Sequence, residues 1–320
     1  MVTADFLGQD QSQAGLTKGI NGLKSSLLAH VFRLIDGSLP PIVVLENVSF
    51  ILRLERGGAM ATLIDAFEGR GYRWAYRVVN LLELFPQRPE HVFLFDSRGD
   101  LDPREIHFAD DVAPPENETA LSTQAHGFYW AEGSRGLGWA PDAIPSLKNG
   151  LNVGITSPPA ILMPKGSIVK PDLIDVERLQ GFPAGWTEPA SEVGRASLRW
   201  SLVGTAVSVP VAHWLGDRIA KPGEFDSVRS AGTVEKGKWP RAAYGDGNVR
   251  REERVVDFPK FESRKPLYEF LERPGERLSA RATSGFLRRG AASTLRFVTG
   301  FLDCVRAHLD SVDITAMDAE

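Results

Sequence analysis

"PPIVVLENV", residues 40–48, begins with two prolines and continues as an unbroken β-branched and apolar run that ends in Glu-Asn-Val. A continuous run of this length, without alternation of apolar and polar residues, is typical of a strand buried on both faces. Residues 42–48 are therefore predicted to form a central strand.

The neighbouring segments predict the rest of a sheet. Residues 22–38 and 57–71 have apolar side chains at helical spacing, so each is predicted to be an amphipathic helix. Residues 2–6, 72–80 and 91–98 are predicted strands. The order strand, helix, strand, helix, strand, strand predicts an α/β fold that contains the second half of an open sheet.

The composition changes after the last of these strands. Residues 105–172 are rich in glycine and proline, and they predict a small irregular lobe. Residues 173–220 return to helical patterns and form a third region. Residues 221–320 form a basic C-terminal extension. Residues 1–104, which contain the predicted sheet, make up the first of the four regions.

Two details of the C-terminal half are also predicted. Residues 198–220 are predicted to be a glycine turn that leads into an apolar helix. Residues 221–265 are predicted to be rich in loops, followed by a last helical region near 295–309.

Composition excludes several classes of protein. Hydrophobic residues make up 42% and charged residues 24% of the chain, which is ordinary for a globular protein. No segment is long and apolar enough to span a membrane, and Asp5 and Gln9 interrupt any signal-peptide core. With Cys304 as the only cysteine, a disulfide framework and a cysteine-based metal site are excluded. A reducing, cytoplasmic location is expected.

Positive charge is concentrated in one part of the chain. Residues 226–300 contain 16 Lys and Arg against 10 Asp and Glu, so this segment carries +6 within a chain of net charge −4. Such a segment could contact phosphates. A solvated face with mixed charges is the alternative, and on charge alone it is the preferred interpretation.

Five segments stand out in order along the chain: LGQDQSQAG (7–15), LENV (45–48), FPQRPEHV (85–92), ERLQGFP (177–183) and GTAVSVPVA (204–212). Together they resemble the motifs of the C5-cytosine DNA methyltransferases of bacterial restriction-modification systems. The corresponding family motifs are a catalytic-loop segment, a Glu-Asn-Val strand, a Gln-x-Arg-x-Arg segment, a segment that follows the target-recognition region, and a final Gly-Asn-Ala-Val helix.

The resemblance implies a fold, a cofactor and a partner. It implies half of a class I methyltransferase Rossmann-like sheet, with residues 105–172 as the target-recognition region. In the family, the enzyme binds double-stranded DNA and flips a cytosine out of the helix. A cysteine thiolate adds to C6, a glutamate contacts N3, and C5 takes the methyl group of S-adenosylmethionine.

Four departures from the family pattern put catalysis in doubt. Gly8 occupies the position of the nucleophilic cysteine, and Cys304 lies outside the motifs, where it is read as a packing residue. The Phe-x-Gly-x-Gly cofactor motif is absent, so S-adenosylmethionine binding by this chain alone is doubtful. Pro89 and His91 replace the two motif arginines, and a neutral histidine lacks their charge-assisted bidentate contacts. Thr205 replaces an asparagine, which removes one hydrogen-bonding arm.

Other motif positions are preserved. Glu46 and Asn47 keep the catalytic pair, and the preserved DNA- or base-binding positions are Gln9, Ser12, Gln87 and Arg88. The preserved LENV could hold a base, or it could remain only because its apolar residues pack the sheet.

Structural interpretations are preferred elsewhere. In ERLQGFP, Leu179, Phe182 and Pro183 could simply brace the lobe. An aromatic cluster, made up of Phe128, Tyr129, Trp130 and Trp139, fits core packing better than base stacking. The six histidines have no metal-like spacing, so no metal site is expected.

Three functional hypotheses remain open. The chain could be a catalytically deficient, N-terminally truncated methyltransferase homologue that still binds DNA. It could be one subunit of a split methyltransferase whose complementary subunit supplies the cofactor half. It could also be a non-functional fragment or the product of a gene whose start was assigned too late.

Overall fold

The structure of the chain is a computed structural model. It describes residues 1–5, 27–80, 82, 86–88, 90–113, 120–134, 136–148, 158–260 and 264–317. Four predicted site residues lie outside these ranges: Gly8, Gln9, Ser12 and Pro89.

The described residues contain both predicted kinds of secondary structure. The strands are β1 Val2–Asp5, β2 Ile42–Val48, β3 Arg73–Asn80, β4 Gln87–Arg88, β5 Glu90–Ser97, β6 His126–Phe128, β7 Trp139–Pro141, β8 Ile144–Pro145, β9 Ala160–Leu162, β10 Ile168–Lys170, β11 Ser230–Thr233, β12 Ala242–Gly245, β13 Arg250–Glu253 and β14 Glu276–Arg277. The α-helices are α1 Leu27–Ser38, α2 Gly58–Glu68, α3 Pro103–His107, α4 Leu173–Leu179, α5 Ala196–Thr205, α6 Val209–Ala220, α7 Leu267–Phe270, α8 Ala280–Ala291 and α9 Phe301–Met317.

The chain divides into two compact units, each assembled from three separate segments. The first unit consists of Met1–Asn80, Glu90–Pro114 and Val211–Phe261. The second unit consists of Leu81–Pro89, Pro115–Pro210 and Glu262–Glu320. The basic C-terminal extension is therefore shared between the two units.

A seven-stranded sheet forms the first unit, in the order β1-β2-β5-β3-β12-β13-β11. β1 and β2 are parallel, whereas β5 is antiparallel to both of its neighbours, β2 and β3. The predicted central position of β2 is confirmed, because β1 pairs with one of its edges and β5 with the other. The predicted α/β class is confirmed as well.

Helices cover one face of this sheet. Leu28, Val31 and Ile35 of α1 and the apolar side of α2 pack on alternate residues of β2, β3 and β5. β3 is buried along almost its whole length, although its sequence alternates like that of a half-exposed strand. β12 pairs with the second edge of β3, and Ala75 packs in a smaller core with Phe108 and Tyr244.

Residues 221–265 are largely outside helices and strands, as predicted, but three short strands that the sequence did not predict, β11, β12 and β13, lie in this segment and extend the sheet. The buried position of β3 explains why a strand forms beside it. A strand whose side chains are buried still has one edge of unpaired N–H and C=O groups, and β12 satisfies them. Short polar strands such as β13 carry little apolar periodicity in the sequence.

The predicted glycine turn within 198–220 is also wrong. Gly204 lies inside α5, and the chain leaves the helical conformation at Ala206 before α6 begins. The last predicted helical region, 295–309, corresponds to α9 at Phe301–Met317, with α8 preceding it.

The buried guanidinium of Arg77 joins three segments of the first unit. Its nitrogens donate to the carbonyl oxygens of His107 (2.9 Å) and Asp110 (2.5 Å), and its Nε donates to the carbonyl oxygen of Val256 (2.8 Å). Burial lowers the pKa of Arg77 to about 10, against the opposing effect of Asp111, so the side chain stays charged at neutral pH. The network therefore ties residues after β13 to β3.

The second unit contains a five-stranded sheet in the order β14-β10-β9-β6-β7 and a two-stranded pair, β4 and β8. The second unit has two cores, one on each face of β9, because successive side chains of this strand point to opposite faces. Ala160 and Leu162 pack with residues of α8 and α9, whereas Ile161 packs on the other face with Leu179 and Leu267. Helices of the C-terminal extension thus complete a core to which the predicted irregular lobe contributes strands.

Asp96 of β5 is a buried acid with an unusual environment. Its side chain is fully buried, and neither carboxyl oxygen has a hydrogen-bond partner among the described residues. Burial raises the pKa of Asp96 well above its usual value. The folded state therefore binds a proton that the unfolded state releases at lower pH.

Replacement of Asp96 by Asn removes this proton linkage. The free energy of unfolding of the unmodified chain should fall as pH rises from about 4, by about 1.4 kcal/mol per pH unit, until the folded pKa is passed. Asp96→Asn should lose that slope and be more stable than the unmodified chain at pH 7.5. Urea unfolding at several pH values measures the difference.

Asp100→Asn is the matched control, because Asp100 is exposed four residues further on. Parallel pH profiles for Asp96→Asn and the unmodified chain would contradict the assignment of a protonated Asp96.

Candidate functional site

The predicted carboxylate, Glu46, lies near the carboxyl end of β2 and is 5% exposed. In the sheet register it pairs with Asp5 of β1 and with Phe93 of β5. His91 lies two residues before Phe93, so its side chain projects from the same face as that of Glu46. The register therefore brings two acids and one histidine together at one end of three neighbouring strands.

The Glu46 carboxylate forms an ion pair with His91. The His91 Nδ1 contacts Glu46 Oε1, and about a quarter of the His91 side chain is exposed (26%). Burial lowers the pKa of His91, but attraction to Glu46, the hydrogen bond between them and the charge of Asp5 outweigh burial and raise it above its usual value. His91 therefore keeps its proton to a higher pH than an unpaired histidine does. The sequence predicts a neutral histidine without charge-assisted contacts, whereas the structure places His91 in contact with the Glu46 carboxylate.

The pKa of Glu46 moves in the opposite direction. Burial raises it, whereas attraction to His91 and hydrogen bonds from His91 and Asp5 lower it, with a net decrease. Glu46 is thus held as a carboxylate. Asp5 was not among the residues predicted from the sequence. The signal that could have identified it is an acid at the end of a strand predicted to neighbour β2.

Asn47 does not join this cluster. Successive strand residues project from opposite faces, so Asn47 points toward the side of α2. A small cavity lies there, lined by Glu46, Asn47, Met60 and apolar residues of β2 and β5, with a volume of about 10 Å³. This is room for one water molecule.

Gln87 and Arg88 lie in the second unit, on β4, which pairs in parallel with β8. Gln87 is 2% exposed, and its Oε1 accepts no hydrogen bond from the described residues. Arg88 is placed by its backbone register opposite Pro145.

Thr205 is the last residue of α5, and its hydroxyl donates back into its own helix. The acceptors are the carbonyl oxygens of Ser201 (2.9 Å) and Leu202 (3.2 Å). Its one donor is therefore satisfied locally.

The ERLQGFP segment forms the end of α4 and the turn that follows. The buried Glu177 carboxylate accepts hydrogen bonds from the backbone N–H groups of Gly185 (2.6 Å) and Thr187 (2.9 Å) and from Arg199 (3.1 Å). Gln180 Nε2 donates to the carbonyl oxygens of Val203 (3.0 Å) and Ala206 (3.1 Å). The side chains of Glu177 and Gln180 therefore hold this segment against the residues that follow it.

The apolar residues of the same segment contribute less than expected. Leu179 is in a core, but Phe182 stacks on the exposed Trp186 at 5.8 Å, and Pro183 is exposed.

Residues of the aromatic cluster are used for packing and backbone contacts. Phe128 is fully buried, with its ring centroid 4.4 Å from that of Phe286. The Trp130 indole N–H donates to the carbonyl oxygen of Pro158 (2.8 Å), and the Tyr129 hydroxyl donates to that of Ser146 (2.5 Å). Trp139 stacks on His126 at 5.6 Å. Cys304 packs against the same core as Phe128.

Other kinds of site were also sought in the part of the chain that the structure describes. No three histidine, cysteine or acidic side chains there are grouped so that they could hold a metal ion. No helix among the described residues is both long and apolar enough to cross a membrane. A larger cleft, of about 340 Å³, lies at the opposite end of β2 and β5 from Glu46, beside Pro41, Ser97 and Asp100.

Comparisons with known proteins show the family to which the chain belongs. Residues 8–132 match the family of C-5 cytosine-specific DNA methylases. Over 307 residues the chain is 41% identical to the type II methyltransferase M2.BsuMI of Bacillus subtilis (strain 168), covering 92% of this chain and 78% of that protein. The chain belongs to the C5-cytosine DNA methyltransferase family, and the predicted resemblance is confirmed.

Two further similarities are weaker or shorter. Over 108 residues, 32% of this chain and 26% of the relative, the chain is 32% identical to the type II methyltransferase M.Sau3AI of Staphylococcus aureus. The Dnmt2 methyltransferase structure of S. pombe superposes with a TM-score of 0.44 at 14% identity, over 68% of this chain and 78% of that chain.

Replacement of His91 by Gln tests the ion pair. Without the cation, burial should raise the pKa of Glu46, which a carbon-detected NMR titration of its carboxyl group measures. The pKa of Glu46 is lowered and that of His91 is raised. The pair therefore stabilises the folded state most at pH values between the ordinary pKa values of the two groups, 4.5 and 6.5. This contribution is lost as pH falls through the folded pKa of Glu46 or rises through that of His91.

Near pH 6 the loss in His91→Gln should be about 2 kcal/mol of unfolding free energy, because a buried carboxylate loses its partner. His213→Gln is the control, since His213 pairs with Asp217 at 3.0 Å on the exposed surface of α6. An unchanged Glu46 titration in His91→Gln would show that the two side chains are not paired.

Proposed function

We propose that this member of the family binds cytosine-containing double-stranded DNA and does not itself transfer a methyl group. The observation that carries the proposal is the Glu46 carboxylate, which is buried, ionised and oriented by His91, in a chain with glycine at position 8. The carboxylate that would contact the base is present, whereas the residue at the nucleophile position, Gly8, has no side chain that could attack it.

The chemistry of the site supports binding without turnover. Addition to cytosine C6 needs a thiolate, and Gly8 cannot supply one. A carboxylate such as Glu46 accepts a hydrogen bond from the cytosine N4 amino group, which distinguishes cytosine from thymine. The ion pair with His91 lowers the pKa of Glu46 and so favours the charged form that this contact requires.

S-adenosylmethionine does not fit the residues that the structure describes around Glu46. Sites for ligands of that size have volumes of roughly 300–1,000 Å³. The cavity beside Glu46 and Asn47 holds about 10 Å³. We therefore assign no step of a reaction to the cofactor.

Fluorescence anisotropy with two labelled 30-base-pair duplexes tests the proposal, one of mixed sequence and one built only from A·T pairs. The unmodified chain should bind both at low salt and prefer the duplex that contains cytosine. Glu46→Gln should reduce that preference roughly tenfold, because one base contact is altered. Glu252→Gln removes an equal charge from an exposed position of the same unit and should leave the preference unchanged.

Methyl transfer is followed in the same samples with added S-adenosylmethionine, by mass spectrometry of 5-methylcytosine. We expect none from the unmodified chain or from Gly8→Cys, because the other departures remain. Failure to bind either duplex at 50 mM salt would refute the DNA-binding proposal, and methylation by the unmodified chain would refute the proposed deficiency.

A second candidate, one subunit of a split methyltransferase, is favoured by the edge of the main sheet. In the described part of the chain β1 pairs only with β2, so its outer edge presents N–H and C=O groups for another parallel strand. Such an edge can bind a strand of a partner chain. The partner would be a complementary methyltransferase chain that carries the cofactor site.

Co-expression with a methyltransferase-like chain encoded nearby tests this candidate. 5-Methylcytosine that forms only when both chains are present, and is lost in Glu46→Gln, is the expected result. Methylation that persists in Glu46→Gln would show that the partner acts alone.

A further inference from the structure

Residues 277–302 carry five arginines and no acidic residue or lysine, although the chain as a whole has a net charge of −4. Most of this segment is α8 and the turn that follows it. The arginines are Arg277, Arg281, Arg288, Arg289 and Arg296. A local charge of +5 without compensating acids is a stronger signal than the mixed +6 of residues 226–300 as a whole.

α8 is held firmly by its inner face. Thr283, Phe286 and Gly290 are buried, and the Phe286 ring lies 4.4 Å from that of Phe128 and 6.1 Å from that of Phe297. A Cβ atom at Gly290 would lie 3.3 Å from Leu302 of α9, so the two helices pack closely there. The opposite face of α8 is therefore presented in a fixed orientation.

Two arginines lie at different heights along the outer face of α8. Arg281, Ser284 and Arg288 are all exposed and follow each other at intervals of three and four residues, which places them on one side of the helix. Seven residues of helix separate the two arginines by about 10 Å. Neither guanidinium has an acidic partner among the described residues.

The position of Arg281 argues against a purely structural role. It lies in the first turn of α8, after the Ser279 cap, where the helix dipole disfavours a positive charge. Arg288, in the last turn, is favoured by the dipole. Two other arginines have structural partners: Arg289 donates to the carbonyl oxygen of Trp130, and Arg277 donates to the Ser311 hydroxyl.

We infer that the outer face of α8, defined by Arg281, Ser284 and Arg288, binds the phosphate backbone of double-stranded DNA. Guanidinium groups bind phosphate oxygens through two parallel hydrogen bonds, and a serine hydroxyl adds a donor between them. Ala291 continues the face with a small side chain, which leaves room for a bulky backbone. The contact is independent of base sequence, and it rests on the proposed DNA binding.

The double variant Arg281→Gln and Arg288→Gln tests the inference, by anisotropy with the two 30-base-pair duplexes between 50 and 300 mM salt. Affinity should fall roughly tenfold for both duplexes alike, and the slope of log K against log salt should become shallower by about 2, since each phosphate contact contributes about 0.9. The Arg281→Lys, Arg288→Lys variant should retain most of the binding because it keeps both charges.

Lys165→Gln combined with Arg306→Gln is the matched control. It also removes two exposed positive charges from the second unit, one of them only 3.9 Å from Asp303. Thermal unfolding should show equal midpoints for all variants. If the Arg281/Arg288 double variant binds like this control while the unmodified chain binds DNA, the inference is wrong and the proposed function stands.

Two other outcomes separate the remaining possibilities. Absence of DNA binding by the unmodified chain overturns the proposed function and this inference together. Tighter, arginine-dependent binding of a duplex RNA of the same sequence would overturn DNA as the occupant of this face.

Discussion

The buried charge of Arg77 is the constraint on which the first unit depends. A guanidinium in a protein interior must have its N–H groups satisfied, and here three carbonyl oxygens from two other segments do so. One acceptor, Val256, lies after β13, so the basic extension is part of the sheet's structure. Asp111 connects the same segments by accepting from the Val256 N–H (2.7 Å) and pairing with Arg229 (3.3 Å).

The end of the sheet that contains Glu46 also has a buried charge that needs a partner. Glu46 is buried, and a buried carboxylate must either take up a proton or acquire a partner. His91 provides the partner from β5, and Asp5 adds a hydrogen bond from β1. Where the family pattern has arginine, the ion pair with His91 lowers the pKa of the Glu46 carboxyl group. Because histidine titrates near neutral pH, this ion pair depends on pH in a way that a pair with arginine would not.

Much of the local structure could be predicted from particular residues. The apolar run 42–48, the helical spacing in 57–71 and the strands at 72–80 and 91–98 lie where the sequence placed them. The motif residues Glu46 and Asn47 were identified as well. The strands β11 to β13 were not, because they are short and partly polar, and β12 joins them to the rest of the sheet by pairing with β3, more than 150 residues away.

The sequence by itself determined the family, the central strand, and the presence of glycine at position 8, because each depends on residue identity and order. Only the tertiary structure decided that His91 pairs with Glu46, that Asp5 joins them, and that Arg281 and Arg288 share an exposed helix face while Arg289 turns inward. Charge state and accessibility depend on burial and on neighbours brought together by strand register and helix packing. These neighbours are distant in the chain, so no local pattern records them.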